Sequence, residues 1–270
     1  MLEFKNVSKI YPDQTQALKK VSLTVPKGQF CILLGPSGAG KTTLLKMANF
    51  LVPPSQGVVS INGTDITKKN LRKLRPSVAM IHQHFNLVPR LSVEKNIISG
   101  ALPSLALWRV LLHVFPEGLR KKACELTASV GLQEKHFSRK ASELSGGQQQ
   151  RVGIARAFVM DPLVVLADEP VASLDPKISR DVLNILRKSA QERNTTVLCS
   201  LHQVDLAREF GDRIVGMHDG EVVFDDIPEK LDEKSIEKIY EKKAQNYSMM
   251  QDEMDRTIES LEDKQEYAVI

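Results

Sequence analysis

The nine residues Gly35-Pro36-Ser37-Gly38-Ala39-Gly40-Lys41-Thr42-Thr43 carry the clearest chemistry in the chain. Gly-x-x-x-x-Gly-Lys-[Ser/Thr] between a strand and a helix is a phosphate-binding loop. Its glycines let the backbone turn tightly, so that successive N–H groups point inward at an anion. A helix starting at the loop adds the positive end of its dipole. Lys41 is expected to reach the β- and γ-phosphates of a nucleoside triphosphate, and Thr42 to place its hydroxyl on Mg²⁺.

Six further groups have chemistry that suits such a site. Asp168 follows the apolar run Leu163–Ala167 and can hold Mg²⁺ through water. Glu169 beside it can act as general base for a water attacking the γ-phosphate. Gln83 can ligate Mg²⁺ through its amide oxygen or position water, and His202 can donate to the γ-phosphate. Ser145-Gly146-Gly147-Gln148 is a second glycine turn opening a helix, hence a second anion cradle. One triphosphate seldom needs two cradles. Two copies facing head to tail would bring each cradle to the other's nucleotide. Tyr11, in a turn shortly before the phosphate loop, either is simply half-buried or folds back to stack on a base.

The elements that must position these groups follow from hydrophobic patterning. Leu2–Val25 alternates apolar and polar residues around Pro12-Asp13, as a small antiparallel sheet does. Phe30–Leu34 reads as a buried strand and Leu44–Asn49 as the start of the loop helix. Gly57–Gly63 and Ser77–Ile81 read as strands. From about Leu91 to Leu144 the pattern becomes helical, which suggests an inserted subdomain. A helix through Phe158, the strand Leu163–Ala167, a helix over Pro176–Glu192, the strand Thr195–Ser200, a helix near Val204–Phe210 and strands near Arg213–Met217 and Glu221–Phe224 complete the core. This alternation means an α/β sheet that binds ligand at the carboxyl ends of its strands. The phosphate loop, Asp168-Glu169 and His202 all fall at such ends.

Composition narrows the class. The chain has 270 residues, 42% hydrophobic and 26% charged, with a net charge of +4. That mild, scattered excess does not argue for nucleic acid. The opening Met1-Leu2-Glu3-Phe4-Lys5 lacks the apolar region of a signal peptide, and a cytosolic protein is expected. The longest apolar patch, Leu105–Phe115, contains Arg109 and His113 and is short of the roughly 20 residues a membrane helix needs. It is expected to fill the core of the helical subdomain, with a partner groove as the alternative. Cys31, Cys124 and Cys199 have no metal-ligand spacing and are expected to be buried thiols. From about Gln245 the chain turns acidic, as a solvated tail or as a terminal helix through Met250, Met254, Ile258 and Leu261.

These motifs together resemble the nucleotide-binding subunit of an ABC transporter, across about residues 1–242. Gly35–Thr42 matches Walker A, Gln83 the Q-loop, Leu144–Gln148 the signature motif, and Leu163–Asp168 with Glu169 Walker B and its catalytic glutamate. Ser173-Leu174-Asp175 matches the D-loop, His202 the switch histidine, and Tyr11 the adenine-stacking residue. Gln83–Val88, Leu107-Trp108-Arg109, Leu166–Pro176 and Leu201–Arg208 are similar to phosphonate-importer ATPases. His82 departs from that subfamily, where Phe is usual, and the tail 243–270 runs past its usual end. The resemblance implies a P-loop NTPase (RecA-like) α/β core, about 1–88 and 155–242, with a small antiparallel β subdomain and an inserted α-helical subdomain, about 89–154. It also implies ATP and Mg²⁺ as ligands, with Asp175 among the nucleotide-binding residues. A homodimer, integral membrane permease subunits and, indirectly, a substrate-binding protein are the implied partners. The implied location is the cytoplasmic face of the cell membrane, and the implied cargo a phosphonate, phosphite or hypophosphite. Another small solute, such as phosphate or an amino acid, is the alternative cargo. A soluble ABC ATPase of DNA repair or translation is disfavoured by the absence of long coiled coils. A nucleotide kinase is disfavoured by the signature motif.

Overall fold

The computed structural model describes residues 1–240 apart from residue 113. The acidic tail 243–270, with the helix considered for it, lies outside the described residues.

Two sheets enclose the helix that follows the phosphate loop. The first is antiparallel and four-stranded, with β1 (Leu2–Ile10), β2 (Gln16–Val25), β4 (Gln56–Ile61) and β5 (Thr64–Asp65) in the order β2-β1-β4-β5. The second is six-stranded: β3 (Phe30–Leu34), β6 (Val78–Ile81), β7 (Val164–Asp168), β8 (Thr196–Leu201), β9 (Arg213–His218) and β10 (Glu221–Asp226), in the order β10-β9-β3-β8-β7-β6. Its ladders are parallel except that of β10 with β9.

β3, and β7 as far as Asp168, are continuously apolar because both faces are covered. Phe30, Ile32 and Leu34 of β3 face one core cluster, and Cys31 and Leu33 face the other. β7 divides in the same way, with Val165 and Ala167 on one side and Val164 and Leu166 on the other. Each such fully buried aliphatic side chain stabilises the fold by about 1.5–3 kcal/mol. Helix α1 (Lys41–Ala48) lies between the sheets and buries Leu44, Leu45, Met47 and Ala48 in the second cluster. Its packed position fixes the loop that precedes it.

After the four-residue α2 (Leu71–Leu74), the helical stretch comprises α3 (Val93–Ile98), α4 (Leu107–Leu111), α5 (Glu117–Ser129) and α6 (Gly146–Phe158). Ser92 caps α3 by accepting from the Lys95 N–H. The buried Asn96 amide bonds both backbone groups of Val88 and the carbonyls of Leu91 and Ser92, clamping the chain that enters the helices. Of the remaining helices, α8 (Val204–Phe210) and α9 (Glu233–Tyr240) pack on the six-stranded sheet, and α7 (Pro176–Glu192) packs against α6 and α8 with Val182, Leu183 and Leu186 in the same core cluster. α9, which patterning left unassigned, places Ile239 in the core, and its Tyr240 hydroxyl donates to the His202 carbonyl at 3.1 Å.

Two expectations are corrected. The stretch around Trp108 is not core: Leu107 is 72% exposed, Trp108 53% and Leu111 70%. Val93, Ile97, Ile98, Ala123 and Leu126 already close the core between α3 and α5, so α4 is left outside it. Cys124 is exposed, unlike the buried Cys31 and Cys199. The buried stripe of α5 runs through Ala123, Leu126 and Thr127, and Cys124 points away from it. Burial pushes the Cys31 thiol up to about 12, consistent with an inert core residue.

Candidate active site

The phosphate loop joins the end of β3 to α1, and its glycines are required by space as well as by conformation. Gly40 has φ +97°, and a β-carbon there would stand 2.6 Å from the Ala17 carbonyl oxygen. Gly38 has φ +87°. A β-carbon at Gly35 would collide with the Met217 carbonyl on β9. Lys41 opens α1 and is 4% exposed, with Nζ donating to the carbonyls of Gly35 at 2.6 Å and Pro36 at 3.0 Å. Burial lowers its ammonium pKa, and the charges of Glu169 and Asp168 oppose that shift. A cavity of about 360 Å³ is lined by Ser37 to Thr43, Ala17 and Glu169.

The ends of β7 and β8 bring a chain of polar groups to that cavity. Asp168 Oδ1 accepts from Thr42 Oγ1 at 3.1 Å and from Ser200 Oγ at 3.0 Å. The Glu169 N–H donates to the same Ser200 hydroxyl at 2.9 Å. Glu169 has φ +49°, a left-handed conformation that is strained for a residue with a β-carbon. Its Oε1 pairs with His202 Nε2. His202 Nδ1 donates to the Gly35 carbonyl at 3.1 Å, which fixes the ring between the loop and the carboxylate. One connected set of contacts therefore joins Gly35, Lys41, Thr42, Asp168, Glu169, Ser200 and His202. It offers hydrogen-bond donors and a cation for an anion, hard oxygen donors for a cation, and a carboxylate for a proton.

Tyr11 also reaches the loop, with its hydroxyl 3.4 Å from Thr43 Oγ1 and the Lys9 ammonium 5.2 Å from its ring centroid. Gln83, Ser145–Gln148 and Asp175 do not line the loop cavity. Gln83 is exposed in the bend after β6. Ser145 and Gln148 form a reciprocal cap at the start of α6: the Gln148 N–H donates to Ser145 Oγ at 3.4 Å, and the Ser145 N–H to Gln148 Oε1 at 3.0 Å. Asp175 caps α7 by accepting from the N–H groups of Lys177 and Ile178. The two helix starts are neighbours, since β-carbons at Gly146 and Gly147 would meet Leu174 and Ile178.

Sequence reasoning missed Ser200, whose hydroxyl joins the Asp168 carboxylate to the Glu169 backbone N–H. The available signal was strand periodicity: Ser200 lies two residues before His202, on the same side of the chain. It also missed Arg156, whose guanidinium holds the carbonyls of Phe85 and Asn86 just after Gln83.

A family model described as "ABC transporter" matches residues 18–172. The chain is 52% identical over 259 residues to a protein of Hydrogenovibrio crunogenus named "Phosphonates import ATP-binding protein PhnC", covering 96% of this chain and 95% of that one. It is 47% identical over 246 residues to "Phosphonates import ATP-binding protein PhnC 3" of Halalkalibacterium halodurans, covering 90% and 95%. Among solved structures, it resembles the dimeric post-hydrolysis state of the ATP-binding cassette MJ0796 bound to ADP and Pi, with a TM-score of 0.72 and 35% identity over 84% of this chain and 99% of that one. The ADP conformation of the cassette MJ1267 matches with a TM-score of 0.77 and 26% identity, over 88% and 97%.

Proposed function

The chain belongs to the ABC transporter family, and from that premise we propose that it is the ATP-hydrolysing subunit of a phosphonate importer, working through the residues gathered at the loop. The observation that carries the reading is a cavity bordered by both the phosphate loop and Glu169, with His202 on the Glu169 carboxylate.

The loop amides and Lys41 bind the β- and γ-phosphates. An arriving phosphate offers the Lys41 ammonium a stronger acceptor than the carbonyls it now bonds, and offsets its desolvation. Tyr11 stacks on the adenine. Glu169 takes the proton of the attacking water, its position held by the Ser200 hydroxyl on its own N–H. His202, steadied by the Gly35 carbonyl on Nδ1, holds that carboxylate through Nε2, and the Nε2–H turns to the γ-phosphate when ATP arrives. The donor set suits Mg²⁺: the Thr42 hydroxyl and the Asp168 carboxylate meet at the loop as hard oxygens, and the Gln83 amide oxygen, outside the loop cavity here, would join them as a third. Few protein ligands are needed because Mg²⁺ keeps waters and takes phosphate oxygens. When bound, it neutralises charge developing on the β- and γ-phosphates.

The loop cavity supplies only one side of the nucleotide site. The Ser145–Gln148 cradle and Asp175 of a second copy complete it, so that ATP holds a two-fold homodimer closed and hydrolysis releases it. Among the described residues, no helix is long and apolar enough to cross a membrane. In this reading permease subunits form the path of the cargo, and this chain sits peripherally at the cytoplasmic face of the membrane. A groove of about 360 Å³ bordered by Asn49, Met80, Gly100, Pro103, Arg156 and Met160, with the exposed α4, is the surface offered to them. The cargo is selected by a substrate-binding protein and never touches this subunit. The division into a core of 1–88 and 155–242 with a helical subdomain of 89–154 is part of the same reading.

Glu169→Gln is the direct test. Loss of the base is expected to cut ATP turnover by about 10²–10⁴-fold. The variant is also expected to sediment as a dimer with ATP and Mg²⁺. Near-normal turnover would remove Glu169 from its role.

A further inference from the structure

Gln150 lies in the middle of α6 with none of its side chain exposed. Among the described residues, neither its amide nitrogen nor its amide oxygen has a hydrogen-bond partner. A buried primary amide with both ends unpartnered is an unfavourable arrangement, and native interiors rarely keep one without a reason.

The surroundings of Gln150 supply that reason. It sits on the face of α6 covered by the stretch just after Gln83. One turn before it, a β-carbon at Gly146 would meet the Phe85 ring at 3.5 Å. One turn after it, a β-carbon at Gly153 would stand 3.9 Å from Gln150 Oε1 and 3.9 Å from the Phe85 carbonyl oxygen. The Gln150 amide and the Phe85 backbone therefore border the same small space. Arg156 already holds this stretch, donating to the carbonyls of Phe85 at 2.9 Å and Asn86 at 2.5 Å. A carbonyl has two lone pairs, so Phe85 can accept a second donor without releasing Arg156. Asn86 has φ +46°, so the stretch itself is held in a sparsely populated conformation.

We infer that Gln150 is a positioning residue that latches the Phe85–Asn86 backbone when Gln83 moves to the nucleotide. Its amide is unsatisfied in the arrangement seen here and becomes hydrogen-bonded in the ATP-bound, closed one. α6 begins at the Ser145–Gln148 cradle, so the latch links the stretch carrying Gln83 to the element that faces the partner's nucleotide. The inference rests on the proposed role of Gln83 and of the ATP-closed dimer.

The test is Gln150→Met, which roughly keeps the volume and removes both polar atoms. Replacing an unsatisfied buried amide by an apolar group stabilises the state in which it was unsatisfied. The nucleotide-free variant is therefore expected to melt about 2–4 °C higher than the parent chain. In the Glu169→Gln background, ATP-driven dimerisation measured by analytical ultracentrifugation is expected to weaken about tenfold, the equivalent of one lost hydrogen bond. Opposite signs for these two readouts separate a latch from a merely structural glutamine. A lower melting temperature, or a failure to fold, would mean that the amide is already satisfied and would overturn the inference. Dimerisation as tight as in Glu169→Gln alone would also overturn it. If Glu169→Gln itself forms no ATP-dependent dimer, the functional reading falls and takes this inference with it.

Discussion

Ser200→Ala isolates the group that organises both carboxylates. The hydroxyl is fully buried, donates to Asp168 Oδ1 at 3.0 Å and accepts from the Glu169 N–H at 2.9 Å. A hydrogen bond to a charged group is worth about 1.5–3 kcal/mol, and a stranded N–H costs about 1–3 kcal/mol. The two effects share one hydroxyl and do not add in full. A net loss of about 3 kcal/mol is expected, at the upper end of either effect alone. For a chain of this size that lowers Tm by about 6–12 °C. The kinetic effect follows from the strained backbone of Glu169. Without its acceptor, the φ of +49° relaxes and the carboxylate leaves its place beside His202. Misplacement of a catalytic group by an ångström costs on the order of 10²-fold in rate. Phosphate-release kinetics should therefore show kcat down by about 10²-fold, with the KM for ATP nearly unchanged because the loop donors are untouched. An unchanged Tm with unchanged kcat would refute the reasoning. So would a rise in KM alone.

His82 and Trp108 offer independent checks. Burial, then the charges of Arg156 and Lys46, lower the His82 pKa below its ordinary 6.5, against the pull of Asp168. The unfolded chain then binds more protons just below pH 6.5, so stability falls as the pH drops from 6.5 toward the folded-state value. His82→Gln should flatten the Tm-versus-pH curve in that window, and an unaltered slope would contradict this. Trp108→Glu, at a side chain 53% exposed, should alter stability by no more than about 0.5 kcal/mol and leave ATP hydrolysis intact. It should abolish hydrolysis-driven phosphonate uptake by the assembled transporter. A collapse in melting temperature would show instead that Trp108 supports the fold.

Much of the fold was readable because its signals are local. Phe30–Leu34 is uniformly apolar because both its faces are buried, and α7 announces itself by Asp175 at the cap and Pro176 in the first turn. The pairing of β1 with β4 was not readable, because it joins segments about fifty residues apart that no single hairpin turn connects. The contact of His202 with Glu169 is hidden for the same reason: the two lie 33 residues apart and meet only because β7 and β8 are adjacent in the sheet. Ser200 is one hydroxyl in a strand of otherwise ordinary composition. The run Leu107–Leu112 shows a different limit. Apolar composition measures the tendency to leave water and cannot say whether the chain's own core or another molecule receives it.

The central claim is that ATP hydrolysis by this chain is geared to phosphonate import. The most direct measurement is ATP hydrolysis in proteoliposomes holding the complete transporter, with its binding protein titrated with a phosphonate on the far side of the membrane. Phosphonate-loaded binding protein is expected to raise the rate several-fold, and Glu169→Gln to abolish the response. A rate indifferent to phosphonate, yet raised by phosphate or an amino acid, would contradict it.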